Sequence, residues 1–165
     1  MNSIAPTTVT CAKTIPEAKT LTGAAALFFR FPTPKILGAK ALLFVFLRSL
    51  LAPLSFWELA VVVAVALWWP LQEWFLHKTV LHLKPRMILG HKFDPMFAKR
   101  HRYHHSFPWI LETTFLPTGF ILVMIPLHVG LWLLFAPNLE FACTGIAAYT
   151  LVTMIYEWTH FLTHS

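Results

Sequence analysis

The chain has 165 residues, of which 57% are hydrophobic and only 12% charged. That balance is too apolar for an ordinary soluble domain and lacks the bias of a low-complexity segment. Its two cysteines, Cys11 and Cys143, indicate neither a disulfide framework nor a cysteine zinc site, and the net charge of +6 accompanies apolar runs that favour a membrane surface over nucleic acid as partner.

Residues 1–34, rich in Thr, Pro and Ala, read as a mobile tail; they lack the compact apolar region and small-residue cleavage site of a signal peptide. Four stretches then approach the roughly 20 apolar residues that a helix needs to cross a bilayer. The first, 37–53, carries Lys40 and Arg48, so it is the weakest of the four and could lie in the interface; Arg48 is near enough to its end to snorkel. A turn at Pro53-Leu54 leads to the second, 56–76, where Ser55 and Glu58 form an S-x-x-E capping box. After a basic region, 77–112, come the third and fourth, 115–136 and 139–158, joined at "APNLE", with Asn138 as cap and Glu140 suited to a helix N-terminus. The expected fold is therefore all-α and integral to a membrane, with four spans in two transmembrane hairpins.

Charge orients it. All thirteen Lys and Arg residues precede Tyr103: six fall in 13–48, seven in the 77–112 region, and none in the two short turns. By the positive-inside rule the tail, the basic region and the C-terminus face the cytoplasm.

Seven of the nine histidines fall at that same face. His77 and His82 follow the second span, His101, His104 and His105 precede the third, and His160 and His164 end the fourth. At about 100° per residue, positions i, i+3 and i+4 share a helix face. His101, His104 and His105 can thus converge, as can His160 and His164. His77 and His82, five apart, would diverge by roughly 140° on an ideal helix; they serve one centre if the helix ends between them, or reach two neighbouring centres. Seven imidazoles exceed the four ligands of a usual structural zinc site, so two metal ions are the more economical reading. Glu73, four before His77, and Glu157, three before His160, are placed to orient those rings. His91 reads as a loop residue. His128, mid-span, is either a functional intramembrane group or a hydrogen-bonded packing residue. The chain has one Glu-x-x-His element and no H-E-x-x-H, which excludes a carboxylate di-iron bundle and a zinc protease.

The order H-x4-H ("HKTVLH"), H-x2-H-H ("HRYHH") and H-x3-H ("HFLTH"), with the wording "YEWTHFLTHS", resembles the fatty acid hydroxylase / sterol desaturase superfamily of membrane di-metal oxygenases over residues 37–165. The likeness is greatest to its fatty acid 2-hydroxylase-type branch. It implies a hydroxylase-like membrane domain over 35–165, two hairpins beneath a partial cytosolic histidine-rich cap, with His77, His82, His101, His104, His105, His160 and His164 as ligands of two metal ions, iron natively with zinc possible in purified protein. It also implies O2 as co-substrate, a lipid C–H bond as the site of hydroxylation, and electrons from a separate cytochrome b5-like or ferredoxin-like donor. Family members carry a further H-x2-H-H after the third pair, whereas this sequence stops at Ser165; the expectation is a C-terminally truncated copy with impaired activity. Two competing readings are a haem or electron-transfer protein with axial histidines, and a membrane protein that binds lipid without catalysis.

Overall fold

The computed structural model describes residues 16–164. In chain order it holds a 3-10 turn at Pro16–Lys19 and helices α1 (Leu21–Phe28), α2 (Pro32–Ser49) and α3 (Phe56–Leu76). A π turn at His77–Leu81 follows, then strands β1 (Arg86–Ile88) and β2 (His91–Phe93), and helices α4 (Met96–Ser106), α5 (Thr118–Phe135) and α6 (Leu139–His164). Among the described residues, the regular structure is helical apart from one antiparallel ribbon, β1 against β2, which the helical periodicity did not announce.

Local chemistry sets the helix starts. At α3, Trp57 N–H donates to Ser55 Oγ at 3.2 Å and Ser55 N–H to Glu58 Oε1 at 2.9 Å, completing the capping box. At α6, Phe141 N–H donates to Asn138 Oδ1 at 3.0 Å. Each bond satisfies a donor that a helix start leaves without an intrahelical partner.

Among the described residues, three stretches are long and apolar enough to cross a membrane: Phe56–Leu81, Leu111–Phe135 and Leu139–His164. The expected first span does not join them. Its helix, α2, starts earlier than expected and carries Lys35, Lys40 and Arg48 within 18 residues, too much charge for a span by composition. It nonetheless packs along α6. Near its start Thr33 Oγ1 donates to the Leu116 carbonyl at 3.1 Å, and at its end Arg48 meets Glu58 of α3. Arg48 does not snorkel. It is 7% exposed, holding both Glu58 oxygens at 2.5 Å and the Ala52 carbonyl at 2.7 Å, while the Thr144 hydroxyl of α6 donates to the same carboxylate. A buried guanidinium is tolerable only with its charge and donors answered, so this contact fixes how α2, α3 and α6 meet.

Helix α6 is the central element. Its run Ala142–Ala148 is buried throughout and consists mostly of small residues, which let neighbouring helices approach closely. A Cβ on Gly145 would lie 2.2 Å from the Trp132 ring of α5, so only glycine allows that crossing.

The expected mobile tail is partly folded. Residues 1–15, including Cys11, lie outside the described residues, but α1 is capped by Thr20, whose Oγ1 accepts from Gly23 N–H at 3.1 Å. Its Phe28 is 2% exposed and touches Phe115, Trp158 and Phe161 at ring separations of 5.7, 5.1 and 5.5 Å. Phe31 joins the same cluster. Such ring pairs are worth about 0.5–1.5 kcal/mol each beyond the area they bury, enough to hold an eight-residue helix that would not form alone.

Candidate metal centre

Phe161 sits at 0% exposure in that aromatic cluster. Because it is rotated about 100° from His160, anchoring it turns His160 and His164 towards α4. There the structure divides the seven histidines into two groups. His77, His82, His101 and His105 form the first, and His104, His160 and His164 the second; within each, one ring nitrogen per residue lies within 4.8 Å of all the others.

The first group depends on the π turn. In an α-helix, His77 and His82 would point about 140° apart. The i→i+5 bonding of a π turn closes a wider loop and brings positions five apart near one face. Their ring centres are 5.0 Å apart, and the chain leaves the helix at His82. On α4, His101 and His105 are one turn apart with Nε2 atoms facing at 3.0 Å, and their ring centres lie 4.5–5.7 Å from those of His77 and His82.

The second group joins α4 to α6. His104 Nε2 faces His164 Nε2 at 3.2 Å, and the three ring centres are 4.6–5.1 Å apart. His104 Nδ1 meets Thr113 Oγ1 at 3.3 Å, a partner that no motif or spacing singles out. The H-x2-H-H box is thus shared: His101 and His105 point one way and His104 the other, with His104 still 6.0 Å from His105 between ring centres.

The donor sets suit metal ions. Imidazole nitrogens bound at 2.0–2.1 Å lie roughly 3.3 Å apart in a tetrahedron and at most about 4.2 Å apart across the ion. From the outer limit of 4.8 Å, donors would draw in by about 1.5 Å to reach a tetrahedron and by about 0.6 Å to sit across an ion from one another. Burial, then repulsion from the neighbouring imidazoles, lowers the His101 pKa to about 3 and the His104 pKa to about 4, and His105 moves the same way. These rings are consequently neutral at ordinary pH, the form that ligates a cation.

The carboxylates part company. Glu73 Oε1 meets His77 Nδ1 at 3.3 Å and accepts from the Tyr156 hydroxyl at 2.8 Å, so α6 reaches back to the first group through Tyr156. Tyr156 was not anticipated. Glu157 makes no hydrogen bond to His160 among the described residues; it is 2% exposed and Oε2 has no partner. Helical rotation explains this, since three residues leave a 60° offset, and here that offset turns Glu157 into the core.

His91 lies exposed on β2, away from both groups. His128 packs within the helices, its Nδ1 2.9 Å from Lys40 Nζ and its Nε2 accepting from Trp132 Nε1 at 3.2 Å. Beside the first group is a cavity of about 460 Å3 lined by Glu73, Trp74, His77, Lys78 and His82. Compared with known proteins, the chain matches no family model, no curated protein and no solved structure.

Proposed function

We propose that this chain is a membrane di-metal protein of the lipid hydroxylase type. The observation that carries the reading is the gathering of seven histidines, up to 87 residues apart in sequence, into two adjacent groups with ligand spacing. His77, His82, His101 and His105 would hold one ion, and His104, His160 and His164 the other. Iron bound there would supply the reduction and cleavage of O2 that no amino-acid side chain performs, directed at a lipid C–H bond.

The residues of the chain do the rest. Neutral imidazoles bind without cancelling the charge of the ions. Glu73 fixes the ring orientation of His77, and Tyr156 holds Glu73 in place. The three-histidine group leaves a coordination position free for an exogenous ligand, as catalytic sites do. The cavity at Trp74 and Lys78 offers an apolar wall and a cation to a lipid with an anionic head. Electrons would come from a separate cytochrome b5-like or ferredoxin-like protein.

In the same reading α2 is a fourth span, its Arg48 neutralised by Glu58 and its Lys40 met by His128. The excess of Lys and Arg on the 77–112 side makes the histidine face cytoplasmic. The test is metal analysis of the full chain purified in detergent after iron or zinc reconstitution. About two equivalents are expected, and fewer than about 0.2 would overturn the reading.

A further inference from the structure

The β1–β2 ribbon contributes nothing to either histidine group. All six of its strand residues are exposed. Its base is held firmly: Arg102 of α4 donates to the Leu83 carbonyl and, at 2.5 Å, to Asp94 Oδ1, clamping the chain on both sides of the ribbon. Beyond that base three residues and a turn project, a reach of about 10 Å at strand rise.

Its tip is apolar. Met87, Ile88 and Leu89 are 68%, 49% and 94% exposed. Leu89 also sits at φ 50, with Gly90 at φ 79. A two-residue hairpin turn with both φ positive ordinarily takes Asn, Asp or Gly at its first position. A leucine there is strained, and in water it is also exposed; local folding accounts for neither. Arg86 and Lys92 stand on the ribbon and Lys84 at its base, all exposed, and their side chains make no hydrogen bond or salt bridge among the described residues.

Position supplies the occupant. The apolar stretch Phe56–Leu81 ends five residues before β1, so the ribbon base stands at the level of the membrane boundary. We propose that the ribbon is a membrane-interface anchor: Met87, Ile88 and Leu89 enter the headgroup boundary of the bilayer that holds the chain, while Lys84, Arg86 and Lys92 bind its anionic headgroups. Amphipathic elements of this kind enter the interface by about 5–10 Å, within the ribbon's reach. An acidic protein would answer the three cations but leave the most exposed leucine in water. The anchor holds whether or not the histidines carry metal, since no residue of it belongs to either group.

The test uses the full chain in vesicles, with an environment-sensitive fluorophore on Met87→Cys in a Cys11→Ser, Cys143→Ala background. The same label on Leu127→Cys, on the exposed side of α5, reports that the helices have entered the bilayer. In vesicles containing phosphatidylserine, quenchers carried on lipids should act on the ribbon label and aqueous iodide should not. Lys92→Gln should lower the ratio of inserted to exposed ribbon about fivefold, the value of one basic side chain at an anionic surface. Leu89→Asn should relieve the turn and still abolish insertion, which separates anchoring from folding. Free access of iodide in anionic vesicles would overturn the anchor, as would shielding that appears only when an acidic soluble protein is added. Equal insertion in phosphatidylcholine alone would overturn the assignment to anionic lipid.

Discussion

The two histidine groups sit side by side on α4 yet are built in opposite ways. The first is local. Its four members lie between residues 77 and 105: a π turn presents one pair, one turn of α4 the other, and the two meet where α4 packs on the π turn. Two of the four, His82 and His105, are exposed. The second is tertiary: His104 meets His164 across 60 residues, and its geometry exists only if α4 docks on α6. It is also the more enclosed, His104 being 3% exposed. Four donors approach closure of a four-coordinate ion, whereas three leave a position for something else. The difference teaches that one helix can serve two sites of different character simply by alternating faces. The four-histidine group needs only α4 against the π turn, whereas the three-histidine group is tied to the docking of α4 on α6.

That contrast fails or sharpens first on removal of a ligand. His104→Ala should drop bound metal from about two ions per chain to about one, because two remaining imidazoles make a poor site. His101→Ala should leave the second group filled and weaken the first, which keeps three donors. Loss of an outer hydrogen-bond partner costs about 10–100-fold in affinity, and loss of a ligand should exceed that. Metal content of the two variants, read with retention against a chelator, distinguishes them. Equal loss of both ions in both variants would show one shared centre in place of two.

Next comes spacing. One alanine inserted between Thr79 and Val80 puts His77 and His82 six apart, roughly 240° around a helix at 100° per residue, and neither α nor π bonding reunites them. The first ion should be lost and the second kept. Deleting Thr79 instead gives an i, i+4 pair, which an ordinary α-helix brings together, so metal content should stay near that of the parent. If the insertion retains both ions, the π turn is not what assembles the first group.

Much of this was legible in the chain because helix chemistry is local. Ser55 with Glu58 and Asn138 announced the starts of α3 and α6, and the i, i+4 spacing of His101 with His105 and of His160 with His164 announced shared faces. Periodicity does not say which face meets which neighbour, so the transfer of His104 to the α6 pair could not be read. Nor could the π turn, which has no compositional signature and shows only as a five-residue step that an α-helix would waste. The Arg48–Glu58 contact was hidden for another reason: each residue already had a sufficient local account, a snorkelling cation and a capping carboxylate, and only the fold joins them. The ordering of residues 16–34 depends on Phe28 and Phe31 finding Phe115 and Phe161, partners at least 84 residues away.

The smallest expected effects lie behind the first group. Glu73→Gln keeps the shape but removes the charge that holds His77, and should weaken the first ion by about tenfold, the low end for an outer partner, since the contact is 3.3 Å and partly exposed. Tyr156→Phe removes only the hydroxyl that steadies Glu73, one hydrogen bond worth about 0.5–1.5 kcal/mol, or a factor of roughly 2–13 at most if all of it reached the metal. Both should leave retention at the His104, His160 and His164 group unchanged. Because Tyr156 belongs to α6, the helix that carries the second group, its variant is the finest probe of separation. Faster chelator release from the first group alone would mean that α6 serves the local site through a single side chain; release from both would mean that the two groups share their support and cannot be treated as independent.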